Sequence, residues 1–366
     1  MRILFLTTHF NSGGITRYIL TLGKGLVDHG HQVSVVSCGG DCVDQCRDAG
    51  IVHHTFNICT KSELNPKIYL ALIRLGQLIK KEKIDVIHAN TRVTQVMAAC
   101  VSRLTRVPYV STGHGYFRPH FFRRSIPCWG KRVIAISSAV VEHLENDFGV
   151  PAHRITLVPT GVEFDRFALV TQQMREQTRQ LLGINKRQVI GIIARLSEEK
   201  GHDTLIKAHQ KILKRFPDAL LIIVGEGRCE RRLKQLVQDL NLDGAVQFYP
   251  QVNQTAKFLP IFDVFVLPSI KEGLGLSALE AQAAGLPVIA SRVGGLVNLI
   301  EDGKTGLLVE PGDDALLAQS ISFCLGNPLE ANAMGLRARE FVQKNFSVQQ
   351  MVEKVVKVYE EVNGKL

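Results

Sequence analysis

No run of apolar residues in this chain reaches the roughly eighteen that a membrane-spanning helix requires. The opening "MRILFLTTHF" lacks the long apolar region and the cleavage site of a signal peptide, so a cytoplasmic protein is expected. Neither GxGxxG nor the P-loop GxxxxGKS or GxxxxGKT occurs, so a dinucleotide fingerprint and a nucleoside-triphosphate P-loop both fit poorly. No Asp-x-Asp reads as a divalent-cation site, and the "GDD" of 312–314 belongs to a late turn. Eight cysteines are scattered along the chain. Cys38, Cys42 and Cys46 stand at helical spacing, but free thiols in a reducing compartment are expected ahead of a metal or redox site.

What is present is a chain of 366 residues, 45% apolar and 21% charged, long enough for two hydrophobic cores. Its net charge is +10 and unevenly spread: residues 1–160 hold 19 basic and 10 acidic side chains, the remainder 25 and 24. A basic N-terminal half implies an anionic partner surface, lipid or nucleic acid, or simply a solubilising charge.

Short β-rich apolar runs alternate with helical patterns. "RILFLTT", "HQVSVVS", "DVIHAN", "VPYVSTG" and "RVIAIS" predict strands, with helices centred near 22, 74, 98 and 142. A second series, "VIGIIARL", "ALLIIVGEG", "AVQFYP", "VFVLPS", "PVIAS" and "GLLVE", follows a join near "VPTGVEFDRFALVTQQ" and a polar, poorly periodic stretch at 170–180. The pattern predicts an α/β protein of two doubly wound, Rossmann-like domains, 1–167 and 168–345, facing a central cleft, then an amphipathic helix within 346–366.

Candidate site residues gather where strands end. Gly13 and Gly14 open a helix after the first strand, where bare amides meet an anion or simply cap the helix. The turn Gly225-Glu226-Gly227 either admits a ring or phosphate or is only a tight connection. Arg195 and Lys200, in "ARLSEEKGHDTL", suit a diphosphate clamp or a solvated pair. In "KEGLGLSALEAQAAG", Glu272 lies on a strand-to-helix loop with the amides of Leu274, Gly275 and Leu276 beside it, and Glu280 sits among small apolar neighbours. Carboxylates accept from vicinal hydroxyls and helix amides receive phosphate oxygens, which fits a hydroxyl-rich ligand joined to phosphate, with a capping carboxylate plus a salt bridge as the structural alternative. A glycoside-hydrolase acid/base pair, about 5 to 9 Å apart, is not excluded by the spacing. The two cations favour an activated sugar whose leaving group is already a phosphate.

His114, between glycines after a strand, is either a cleft residue or one held in a local structural bond. Beyond it, residues 113–132 interleave Tyr116, Phe117, Phe121, Phe122 and Trp129 with Arg118, Arg123 and Arg124. Residues 67–83 carry Lys67, Arg74, Lys80, Lys81 and Lys83 on an amphipathic pattern. Both suit contact with an anionic membrane surface and a lipid-linked acceptor, and for residues 67–83 the alternative is a helix with one face in the core. Stacking on single-stranded nucleic acid is the rival use, and no nucleic-acid module accompanies it.

Taken with "THFNSGG", "STGHG", "VPTGVEFDRF" and "GKTGLLVEPGD", these residues resemble the retaining nucleotide-sugar glycosyltransferases of family 4, of the GT-B fold, along nearly the whole chain. The resemblance implies that Gly13, Gly14, Arg195 and Lys200 hold the donor diphosphate, Glu272 the sugar hydroxyls near C3 or C4, Glu280 the ribose, and His114 the C6 hydroxyl. It thus makes His114, Arg195, Lys200 and Glu272 the catalytic set. The expected donor site is Gly13, Gly14, Gly225, Glu226, Leu274, Gly275, Leu276 and Glu280. It also implies that the last helix crosses back to the N-terminal domain, that no divalent metal or other cofactor is needed, and that the sugar is transferred with retention. The expected donor is a nucleotide diphosphate sugar, UDP by default, and the expected acceptor a membrane-associated glycolipid or envelope polysaccharide at the inner face of the cell membrane. A nucleotide-sugar epimerase of the same fold and a non-catalytic binding module are the rival readings. Asn298 stands where many members have glutamate, and Thr160 where asparagine is common.

Overall fold

The computed structural model describes residues 1–366 except 61, 64, 120, 185–187, 253, 365 and 366, and omits the side chains of 121 and 122. The chain forms two compact units, one of residues 1–161 with 348–366, the other of 162–347.

The first unit runs β1 (Arg2–Leu6), α1 (Gly14–Asp28), β2 (Gln32–Ser37), α2 (Val43–Asp48), β3 (Val52–Thr55), α3 (Pro66–Glu82), β4 (Val86–Ala89), α4 (Arg92–Thr105), β5 (Tyr109–Gly113), α5 (Phe121–Ser125), β6 (Arg132–Ala135), α6 (Ser138–Phe148) and β7 (Ile155–Leu157). Its seven strands are ordered β3-β2-β1-β4-β5-β6-β7, and every pairing is parallel. Helices covering both faces bury β4 completely, which is why its sequence reads as an apolar run rather than an alternation. The order reverses between β1 and β4, so their carboxyl ends splay apart there, at the usual ligand position of such a sheet. β3 and β7 went unread in the sequence because "VHHT" and "ITL" are short, partly polar edge strands.

The second unit runs α7 (Gln172–Leu181), β8 (Gln188–Ile193), α8 (His202–Ile212), β9 (Ala219–Val224), α9 (Glu230–Asp239), β10 (Val246–Tyr249), β11 (Val264–Leu267), α10 (Leu276–Ala283), β12 (Val288–Ser291), α11 (Leu296–Leu299), β13 (Leu307–Val309), α12 (Asp314–Gly326) and α13 (Pro328–Asn345). Its sheet is ordered β10-β9-β8-β11-β12-β13, again parallel, with the reversal between β8 and β11.

Two expectations need correction. The stretch 170–180 is not a loose connection but holds most of α7. Thr171 caps it by accepting from the Met174 amide, and Arg179 and Arg175 reach Asp263 at 2.7 and 3.4 Å. Ion pairs rather than an apolar stripe fasten this helix, so hydrophobic periodicity does not reveal it. The division between units falls at 161/162, ahead of 167/168, because Val162 donates to Phe346 O and Arg339 to Phe167 O, which ties 162–167 to the second unit.

The final helix, α14 (Val348–Val362), packs on α1. Met351, Val352, Val355, Val358, Tyr359 and Val362 join Tyr18, Ile19, Leu22 and Leu26 in one buried cluster. The helices approach so closely at Gly25 that an added Cβ would lie 2.6 Å from Val352 Cγ2. Gly25→Val is therefore expected to cost about 1–3 kcal/mol through overpacking. Thermal unfolding checks this, and an unchanged midpoint would refute it.

Candidate functional site

In the second unit the candidates cluster at the carboxyl ends of β8, β9 and β11. Lys200 and Glu272 come from the loops after β8 and β11, neighbouring strands, and meet directly. Lys200 donates to Glu272 Oε2 at 2.5 Å, with side chains 20% and 10% exposed. Ser269 Oγ donates to the same oxygen at 3.2 Å, and the Gly273 amide to Oε1 at 3.2 Å. Glu199 O accepts from the amides of Ile270 and Lys271, which pins the two loops together. Gly201 is required here: its φ is +66°, and an added Cβ would lie 1.9 Å from Pro268 O. Next to Glu272, Gly275 caps α10, and the amides that open this helix after Leu274 and at Leu276 have no intrahelical acceptor.

Glu280 lies in α10 and is buried, and Thr255 Oγ1 donates to its Oε2 at 2.7 Å. A buried carboxylate requires such a donor.

Arg195 lies apart from this pair. Its side chain is 69% exposed and its nearest carboxylate is Glu199, at 3.8 Å. Its backbone is held instead: His202 Nε2 lies 3.1 Å from Arg195 O, and burial pushes that imidazole down to about 4, so the neutral ring donates to the carbonyl. Gly225 and Gly227 answer a steric demand of the protein. A Cβ on either would come within 2.1 Å of Ala194 O or 2.3 Å of Leu196 O, so these glycines let two loops touch. Glu226 is exposed between them and its carbonyl accepts from the Leu196 amide. Asn298 is exposed on α11, and Thr160, in the first unit, is buried.

In the first unit, Gly13 precedes α1 with extended backbone, exposed, and an added Cβ would meet nothing nearer than Asn11 O at 4.0 Å. Among the described residues no atom requires a glycine there, while the amides heading α1 lie open to an anion. Gly14 begins the helix. His114 follows β5. Its Nε2 lies 3.0 Å from Asn90 Oδ1 and its ring meets Tyr18 edge-on at 4.7 Å. Burial pushes the imidazole down to about 3, so it is neutral. Beneath it, His88 lies 2.6 Å from Tyr359 Oη and 2.6 Å from Thr112 Oγ1, which is 3.2 Å from Tyr18 Oη. The loop after His114 is anchored by the Phe117 amide, which donates to His143 Nε2, and by His143 Nδ1, which donates to Asp147.

The aromatic and basic segment 113–132 is only partly a rim. The Arg123 guanidinium is buried in a cage of Phe117, Trp129 and Phe148, 3.9, 5.0 and 5.5 Å from the ring centroids. Phe117 is half-buried, while Arg123 and Trp129 are 5% and 3% exposed, so the expected surface contact by these two is corrected. Cation–π attraction holds them inside. Tyr116, Arg118 and Arg124 remain exposed, and the Phe121 and Phe122 side chains lie outside the described residues. Among the cysteines, only Cys46 of the trio lies within α2, and all eight thiols are free. Among the described residues no three His, Cys, Asp or Glu side chains gather to hold a metal ion.

Asn90, Ser269, Thr255 and His202 escaped the sequence reading. Asn90 alone left a signal, as the first residue past the carboxyl end of β4, the rule that marked His114.

The description Glycosyltransferase Family 4 matches residues 12–166, and Glycosyl transferases group 1 matches 174–341. The chain is 30% identical over 362 residues to a D-inositol 3-phosphate glycosyltransferase of Pseudarthrobacter chlorophenolicus, covering 90% of this chain and 86% of that one. It is 29% identical to a UDP-Gal:alpha-D-GlcNAc-diphosphoundecaprenol alpha-1,3-galactosyltransferase of Escherichia coli, covering 79% and 78%. A crystal structure of a glycosyltransferase from Rickettsia africae superposes with a TM-score of 0.85 at 28% identity, covering 99% of this chain and 98% of that one. Two parallel sheets with ligand-type loops at each reversal, and these likenesses along the chain, lead to one assignment: the chain belongs to the family 4, group 1 glycosyltransferases of the GT-B fold, which transfer a sugar from a nucleotide-sugar donor to an acceptor.

Proposed function

We propose that the enzyme transfers a sugar with retention from a nucleotide diphosphate sugar, UDP-linked, to a membrane-associated glycolipid or envelope polysaccharide, working at the inner face of the cell membrane. The observation that carries this is the Lys200–Glu272 contact beside the open amides of α10: a cation for the departing phosphate and an acceptor for sugar hydroxyls on adjoining loops. Glu280 supplies a buried carboxylate for ribose, and Gly13 and Gly14 free amides for the diphosphate. Arg195, exposed in this structure, swings onto the diphosphate when donor binds. His114 holds a sugar hydroxyl. Lysine and arginine neutralise the leaving group, so no divalent metal or other cofactor takes part. The leaving β-phosphate takes the acceptor proton on the face it departs from, which gives retention without a dedicated base.

The acceptor reading draws support from the named substrate of the Escherichia coli relative, a diphosphoundecaprenol, and from an exposed face of α3. There Leu70 and Ile73, 73% and 70% exposed, stand among the exposed Lys67, Arg74, Lys80 and Lys81. Apolar side chains among cations suit the surface of an anionic bilayer.

One experiment tests the whole reading. The protein is incubated with UDP-, GDP- and ADP-sugars and crude membrane lipid in anionic or zwitterionic vesicles, with and without EDTA. The expected result is release of UDP, a glycosylated lipid with retained anomeric configuration, equal rates with chelator, and preference for anionic vesicles. Epimerised nucleotide sugar, or no turnover with any donor, would replace this reading with one of its rivals.

A further inference from the structure

We propose that Asn90 is a positioning residue that fixes His114 as its Nε2–H tautomer and so leaves Nδ1 as a bare acceptor for one hydroxyl of the transferred sugar. The hydroxyl rests on the reading of His114 above, whereas the tautomer rests on the hydrogen-bond geometry and on the burial that keeps the ring neutral.

Asn90 is buried and held at both ends. Its backbone amide donates to Leu6 O at 3.0 Å, and its side-chain Nδ2 donates to His88 O at 3.1 Å. With the amide nitrogen committed to that carbonyl, Oδ1 is the atom that faces the imidazole, 3.0 Å from Nε2. An amide oxygen only accepts, so the proton of this contact belongs to Nε2. The titratable groups facing the ring are Tyr18 of α1 and His88 of β4. Burial keeps both uncharged, raising the phenol and lowering His88 to about 3, so neither supplies an anion that would hold a second proton on His114. A neutral imidazole has one N–H. With that hydrogen given to Asn90, Nδ1 keeps its lone pair, and among the described residues nothing bonds to it.

A lone pair selects its ligand by sign. It accepts from O–H and repels phosphate or carboxylate oxygen, so His114 recognises a hydroxyl and does not share the diphosphate with Lys200. Asn90 thus sets what the histidine can bind without touching the ligand.

The test reads the ring directly. Protein labelled with 15N-histidine, without ligand, is followed by two-bond 15N–1H correlation, with His114 assigned by its loss in His114→Gln. The wild type is expected to show Nε2 protonated, Nδ1 bare, and no titration from pH 8 to 5. Asn90→Asp places a carboxylate beside the ring and is expected to lift its midpoint by about one to three pH units, so a titration appears between pH 4 and 6. Asn90→Ser, the second variant should the first not fold, is expected to populate both tautomers. It should also lower kcat/KM about tenfold with whichever donor the panel above identifies, the cost of one misdirected hydrogen bond. A protonated Nδ1 in the wild type, or a ring unmoved by either substitution, overturns the proposal. Absence of transfer in the panel would sink the proposed function while leaving the tautomer measurement intact.

Discussion

Lys200→Ala is expected to lower sugar transfer by about 10²–10³-fold, the usual loss when one group that stabilises a developing negative charge is removed. It should weaken binding of free UDP as well. Glu272→Gln is expected to separate these effects. Glu272 Oε2 takes a hydrogen bond from Lys200 at 2.5 Å, so at the proposed donor site the carboxylate and a phosphate would be rivals for the same cation. A glutamine in its place retains an acceptor for Ser269 but gives up the charge, and Lys200 becomes fully available to an anion. UDP alone should then bind more tightly, while transfer falls through loss of the proposed acceptor for sugar hydroxyls. Calorimetric titration with UDP, alongside steady-state transfer, measures both. If Glu272→Gln and Lys200→Ala weaken UDP alike, the pair is a structural fastening and not an exchange partner for phosphate.

Acidification should destabilise the second unit steeply. His202 and His209 are both buried, and burial pushes each down to about 4. The unfolded chain carries these rings near 6.5, so below that pH the unfolded state binds more protons and stability falls with pH. The loss begins as pH drops through about 6.5 and levels off near 4. Each histidine contributes roughly 1.4 kcal/mol per pH unit within that window, and two together about twice as much. Thermal unfolding of the second unit should show a midpoint that is level from pH 7.5 to about 6.5 and falls steadily from there to 5. His209 lies 2.9 Å from Ala245 O, and His209→Gln keeps a donor for that carbonyl without a titrating ring, so below pH 6.5 the slope of the second unit's transition should be about half the wild-type value. A midpoint flat across this range would contradict the argument, as would a variant with an unaltered slope.

Legibility in the sequence followed the range over which each feature is determined. "ALLIIV" becomes β9, buried throughout, since a run of apolar β-formers has no other stable place in a doubly wound sheet. Glu272 and Glu280 were also visible, because the strand, turn and helix that carry them are contiguous. The bond between His88 and Tyr359 was not: 271 residues separate them, and nothing near either names its partner. For α7, the decisive contact lies across the sequence at Asp263, so a helix fastened by ion pairs looks like a polar linker. Arg123 and Trp129 failed differently. Aromatics interleaved with arginines have the same composition on a membrane rim and in an internal cation–π cage, and only the fold separates the two.

The return of α14 to α1 has a consequence for biosynthesis. Residues 351–362 complete the cluster around Tyr18, Ile19 and Leu22, yet leave the ribosome only after the whole of 162–347 has emerged. The early sheet must wait with one flank uncovered, while the later one can close as an uninterrupted stretch. The apolar cluster along α1 can therefore close only once the whole of the second unit has been translated.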